Sequence, residues 1–127
     1  MVAAGTIGET TCVIVVISKA GIVGASVGDS GAWHITQAGI DDLTGHQTRK
    51  PFLGVGCATP LGFVRGPLTG TLLVASDGLL KYSSAERIAA VALGGDVESA
   101  AQNLVQLVRY ASGTLPDDVS VLLVRSK

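Results

Sequence analysis

Three apolar runs, each bounded by an acidic turn, constrain this chain more than any other feature. Ile22-Val23-Gly24-Ala25-Ser26-Val27 runs into Gly28-Asp29-Ser30, and Thr71-Leu72-Leu73-Val74-Ala75 runs into Ser76-Asp77-Gly78. Asp117-Asp118 opens onto Val119-Ser120-Val121-Leu122-Leu123-Val124. The runs are rich in β-branched residues and of ordinary strand length. Gly-Asp and Asp-Gly are common turn dipeptides, so any one of these turns is explained as a turn. Taken together, carboxylates at the ends of neighbouring strands can converge on one point. An all-oxygen donor set suits Mg²⁺ or Mn²⁺ rather than zinc or copper, which points to phosphoryl-transfer chemistry.

The rest of the pattern predicts an α+β arrangement. Thr11 to Ser18 and Ile22 to Val27 flank Lys19-Ala20-Gly21 as a β-hairpin, and Ala32 to Thr36 follows the Asp29 turn as a third antiparallel strand. From Gln37 to Gly70 turn residues dominate, with Phe52-Leu53-Gly54 and Gly62-Phe63-Val64 as short strand candidates. Ser83-Ser84-Ala85-Glu86 fits a capping box with Ser83 at the cap, and Gly94-Gly95 supplies a stop. A second helix is expected from Asp96, its stripe formed by Ala100, Leu104, Leu107, Val108 and Ala111, with Gly113 ending it. Strands on both sides of a helical pair, without regular βα alternation, predict an antiparallel β-sandwich flanked by helices. The 127 residues make one domain, spanning 1–127.

Composition excludes several classes of function. The net charge is −1 and the 9 Lys and Arg are scattered, so no basic stripe marks a nucleic-acid partner. The longest apolar stretch, Cys12 to Ile17, is strand-sized and far short of the ~20 residues of a membrane span. No signal-peptide pattern opens the chain, and a cytoplasmic location is the default expectation. Cys12 and Cys57 are not spaced as a zinc pair and read as incidental thiols. Ser30 and Ser76 lack a Gly-x-Ser-x-Gly elbow, and no phosphate-binding loop ends in Gly-Lys-Ser/Thr. His34 reads as a packed or solvated strand residue. His46 lies in a polar loop where Arg49 is a minor candidate for phosphate contact. With 47% hydrophobic and 15% charged residues the chain is unusually apolar, so exposed sheet faces or edges are expected, with homodimerisation or a swapped assembly as their consequence.

The order of the pieces resembles the metal-dependent protein phosphatase family, of the protein phosphatase 2C type and bacterial in style. Gly8-Glu9-Thr10-Thr11-Cys12-Val13, Val27-Gly28-Asp29-Ser30, Val74-Ala75-Ser76-Asp77-Gly78-Leu79 and Asp117-Asp118-Val119-Ser120-Val121 carry the resemblance across nearly the whole chain. It implies a protein phosphatase 2C-like fold and metal-assisted hydrolysis of a phosphomonoester on Ser or Thr of a phosphoprotein. The attacking water is activated by Mn²⁺ or Mg²⁺, without a phosphoenzyme, so no side chain acts as the nucleophile. Asp77 matches a metal-binding Asp, and Asp117 matches the first residue of a C-terminal Asp-Asn or Asp-Asp pair. Asp29 matches a residue of an additional, weaker metal site. Three departures stand beside the match. The family's N-terminal strands, with a metal-bridging Asp and a phosphate-binding Arg, have no counterpart, which predicts an N-terminally truncated, partial domain. Gly31 stands where many members carry Arg, and Lys81 where an acidic residue is common. The alternative is a noncatalytic phosphatase-like module that binds a partner or itself through an exposed sheet edge.

Overall fold

The computed structural model describes residues 8–47, 50, 52–54, 56 and 58–126. Strand β1 (Cys12–Ser18) turns through Lys19-Ala20 into β2 (Gly21–Val27), and the pair runs in register from Ser18↔Gly21 to Cys12↔Val27. After the Asp29 turn, β3 (Gly31–Thr36) pairs with β4 (Gly39–Asp42). Strand β5 (Leu61–Arg65) returns to β2, whereas β6 (Thr71–Ala75) joins β3. Helices α1 (Asp77–Leu80), α2 (Ala85–Leu93) and α3 (Val97–Leu107) follow before β7 (Val121–Arg125) pairs with β6. All pairings are antiparallel, giving a three-stranded sheet β1-β2-β5 and a four-stranded sheet β4-β3-β6-β7. The expected α+β sandwich is therefore the fold.

Strand periodicity builds two cores. On β3, β6 and β7 the side chains of Ile35, Leu73, Ala75 and Leu123 point away from the other sheet and meet Ile88, Ala92, Leu104 and Val108 of the helical layer. Their alternates, Ala32, Leu72, Val74 and Val124, face the three-stranded sheet and pack with Ile22 and Phe63. From Leu72 to Ala75 the β6 sequence is apolar because the strand is buried on both faces. Arg125 fastens β7 to the helices: its guanidinium donates to the carbonyls of Ala92, Gly94 and Gly95, satisfying groups at the C-terminal end of α2.

Several boundaries differ from the sequence expectation, each for a local reason. The cap of α2 is Ser84, whose Oγ accepts from the Arg87 amide at 3.3 Å. Ser83 is not the cap, and its Oγ is buried without a partner. Asp96 caps α3 by accepting from the Ser99 amide at 2.8 Å, as the sequence suggests. That helix stops at Leu107, not near Gly113, and Ala111 is exposed beyond the packed stripe. Tyr110 donates its amide to Thr114 and so draws the chain into a turn. Strand β4 and the single-turn helix α1 were not anticipated: β4 is short and polar, and α1 is too short to show a period. Leu53 makes only an isolated bridge to Thr10. Cys57 and Arg49 lie outside the described residues, whereas Cys12 is a half-buried free thiol.

Candidate metal and phosphate site

The acidic turns come together at one end of the sandwich because two glycines and a few hydroxyl hydrogen bonds between strand ends place them there. Gly28 holds φ at +107°, a left-handed value that favours glycine, and a side chain here would collide with Thr11, its Cβ 2.6 Å from that of Thr11. Thr11 and Ser30 also share a hydroxyl–hydroxyl hydrogen bond of 2.8 Å, which ties the start of β1 to the turn carrying Asp29.

Ser76 fixes the other two turns. Its amide donates to the Ser120 carbonyl at 3.0 Å, its Oγ donates to the Asp118 carbonyl at 3.3 Å, and the same Oγ accepts from the Ser120 amide at 2.9 Å. These bonds bind the end of β6 to the loop leading into β7. The next residue but one, Gly78, is buried, and a Cβ on it would run into the Asp118 carbonyl. The two acidic turns can approach this closely only with glycine at 78. Ser76 also stands at the N-cap of α1 without a side-chain cap bond, so its hydroxyl serves the loop and not the helix.

The carboxylates are not equivalent. Asp29 and Asp77 are both half-buried and line one cavity of about 350 Å³, together with Trp33, Asp42, Gln47 and Lys81. Asp117 is exposed and does not line it, and its Oδ1 accepts from the amide of Asp118 at 2.8 Å within its own turn. Burial pushes the Asp77 carboxyl above its ordinary value. The charges of Asp29 and Asp117 push the same way, as does hydrogen bonding to Asp29, and the Lys81 ammonium opposes them. Among the described residues no three His, Cys, Asp or Glu side chains are arranged around a single point. The close partnership is thus Asp29 with Asp77, with Asp117 acting on it through its charge.

A polar turn missed by the sequence reading forms the opposite wall. Asp42 Oδ1 accepts from the Thr44 amide at 3.0 Å and from its hydroxyl at 2.9 Å, while Thr44 Oγ1 accepts from the Ala32 amide at 3.2 Å. Gln47 donates through Nε2 to the Ser30 carbonyl at 2.6 Å, and its Oε1 is buried without a partner. An Asp-x-Thr turn just after a strand was the available signal, submerged in the turn-rich composition of residues 37–70. The histidines stay outside: His34 accepts from the Thr69 amide at 3.4 Å, and His46 is exposed; neither lines the cavity.

Solved structures give this arrangement its context. A point variant of a bacterial serine phosphatase superposes with a TM-score of 0.81 at 28% identity, covering 94% of this chain and 54% of that one. Staphylococcus aureus serine/threonine phosphatase Stp1 matches with a TM-score of 0.77 at 23% identity, over 94% of this chain and 57% of the other. The catalytic domain of the serine/threonine protein phosphatase PstP, solved in complex with 2 manganese ions, gives 0.77 at 22% identity, over 91% and 57%. No protein-family model matches the chain, and no curated protein matches it. The chain thus resembles bacterial serine/threonine phosphatases of the protein phosphatase 2C type over nearly all of its own length, as the motifs predict. It spans a little over half the length of those solved structures. No helix among the described residues is long and apolar enough to cross a membrane.

Proposed function

We propose that this chain carries the metal-binding half of a serine/threonine phosphatase site, hydrolysing phosphomonoesters of phosphoproteins with Mn²⁺ or Mg²⁺. The observation that carries this reading is the enforced proximity of Asp29 and Asp77 at the cavity, under the charge of Asp117, in a fold shared with serine/threonine phosphatases. A carboxyl such as Asp77, whose ionisation is opposed by burial and by the neighbouring charge of Asp29, gains most from a hard cation. Their all-oxygen chemistry fits Mg²⁺ or Mn²⁺, and Mg²⁺ keeps several waters, so two side chains are enough to hold one ion. Asp29 and Asp77 would hold it, with Asp117 supplying longer-range charge. Bound there, such an ion supplies charge neutralisation for phosphoryl oxygens and a lowered pKa for water.

The chain's own residues do the positioning. Ser76 and Gly78 keep Asp77 against the Asp117 loop, and the Thr11–Ser30 bond keeps Asp29 facing it. Lys81 places a positive charge on the cavity wall, where it favours the ionised form of Asp77 and can meet an anionic substrate. The test is release of phosphate from a phosphoserine peptide with Mn²⁺, with chelator, and with Asp77→Asn. Metal-dependent turnover lost in the variant supports the reading; folded protein without turnover contradicts it.

One observation favours the second reading, a noncatalytic module that binds a partner or itself. With no three-sided ligand cluster among the described residues, the cation site lacks the enclosure of a high-affinity centre, while one side of the sandwich leaves apolar residues uncovered. A module of this kind would bind through that side without phosphatase turnover.

A further inference from the structure

The cavity that holds Asp29 and Asp77 has an opposite wall whose chemistry a metal ion on those two carboxylates does not use. Gly31 and Trp33 stand two residues apart on one face of β3, and Asp42 of β4 pairs directly with Trp33, which puts its side chain on that same face. All three line the cavity. A Cβ on Gly31 would lie 2.6 Å from Leu80 Cδ1, 3.3 Å from Thr44 Oγ1 and 3.7 Å from Trp33 Nε1, so a side chain at this position would enter the cavity. Gly31 is not among the glycines with positive φ, so what glycine provides here is space and not backbone freedom. It is also the position where many members of the resembled family carry Arg.

The space left open is walled for a planar cation. Asp42 gives its Oδ1 to the Thr44 amide and hydroxyl, and no described residue donates to its Oδ2. Among the described residues the ion pair is Arg65 with Asp41, N–O 2.8 Å, and Asp42 has no cation of its own. Gln47 adds an Oε1 that is buried without a partner, and Trp33 adds the indole, the ring that attracts cations most strongly. Asp29, Asp42 and Asp77 on the cavity wall face one ammonium, that of Lys81, which stands 5.6 Å from the centre of the Tyr82 ring, outside the cavity lining. The interior is therefore acidic. A guanidinium fits this wall better than an ammonium does. It is flat and weakly hydrated, it stacks on an indole, and its fork of N–H donors reaches a carboxylate and an amide oxygen together.

We propose that the space beside Gly31 is an arginine pocket, in which Asp42, Gln47 and Trp33 hold the guanidinium of an arginine close to the phosphoserine or phosphothreonine of the substrate. Asp29 and Asp77 stay with the metal ion, so one cavity receives the phosphoryl group at one wall and the neighbouring side chain at the other. That the arginine belongs to a phosphoprotein rests on the phosphatase reading; the pocket itself does not, and the two fail separately in the test.

Trp33 is the single tryptophan of the chain, so its fluorescence reports on this cavity alone. The probe is the unphosphorylated peptide Ala-Arg-Ala-Ser-Ala-Arg-Ala, compared with the same peptide carrying citrulline, a neutral isostere, at both arginines. Each is titrated into the intact chain with saturating Mg²⁺ and with chelator. The expected result is a saturable change in emission with the arginine peptide in both conditions, and binding at least ~10-fold weaker with the citrulline peptide. Asp42→Asn keeps the Oδ1 acceptor of the Thr44 turn and removes the charge, and should weaken the arginine peptide at least ~10-fold; Gly31→Arg, which fills the pocket from within, should abolish the response. Equal binding of the two peptides, no response to either, or an unchanged affinity in Asp42→Asn overturns the proposal. So does a response seen with chelator and lost with Mg²⁺, which would put the guanidinium on Asp29 and Asp77. Phosphate release plays no part in this readout; where the chain does turn over, the phosphorylated arginine peptide should show a KM at least ~10-fold below that of the citrulline peptide at similar kcat.

Discussion

Asp77 is the residue on which burial, charge and chemistry meet, and its titration has a definite sign. Burial, reinforced by Asp29 and Asp117, raises its folded-state pKa above the value of the unfolded chain. The folded state therefore binds more protons in the window between the two values, and stability falls as pH rises through it. At neutral pH, without metal, the ionised carboxylate costs the fold stability. Asp77→Asn should then raise the metal-free melting temperature at pH 7, by on the order of 2 °C, and make no difference below the ordinary carboxylate range. With saturating Mn²⁺ the order should reverse, because only the wild type gains binding free energy, about 2.7 kcal/mol at one hundred times Kd. Thermal melts with and without Mn²⁺ at the two pH values check both statements. Gly78→Ala is the harsher change: its Cβ would meet the Asp118 carbonyl. A loss of about 2 kcal/mol or more is expected in urea unfolding.

At the scale of elements, what holds the site is a few hydroxyls that join strand ends. Ser76→Ala removes the acceptor of the Ser120 amide and the donor to the Asp118 carbonyl. It should cost about 1–2 kcal/mol in denaturant midpoint and weaken metal binding through the displaced turn. Ser84→Ala removes only the cap of α2 and should cost about 1 kcal/mol without touching the site. The contrast separates stability from positioning. The hairpin, the third strand, β6, β7 and both longer helices were legible because period-two and period-3.6 patterns were undisturbed there. The cap moved from Ser83 to Ser84 because both residues suit the position, and only tertiary packing decides between adjacent serines. The Asp42–Gln47 wall was illegible because its residues are ordinary turn formers and their shared cavity depends on sheet pairing many residues away. The Asp29 turn, by composition alone the plainest of the three, is the one that stands closest to Asp77.

Across the whole molecule, one sheet is capped by α2 and α3 while the other turns an apolar face outwards, with Ile14, Val16, Val23 and Val64 each more than half exposed. That asymmetry follows from a composition too apolar for the surface this fold can bury, and it was foreshadowed by the 47% hydrophobic content. Replacing outward residues with polar β-formers, as in Val16→Thr with Val64→Thr, should raise solubility and leave cation affinity unchanged, as read by light scattering and Mn²⁺ titration. The site lies at the end of the sandwich, and neither the outward-facing residues nor the Arg65–Asp41 pair lines its cavity. The central claim is that Asp29 and Asp77 form a cation site whose charge is unbalanced in the empty protein. Calorimetric titration of Mn²⁺ into the wild type and into Asp77→Asn at pH 7 tests it most directly. Saturable binding in the wild type, weakened at least ~10-fold in the variant, is the predicted result, whereas no binding, or equal binding by both proteins, would contradict it.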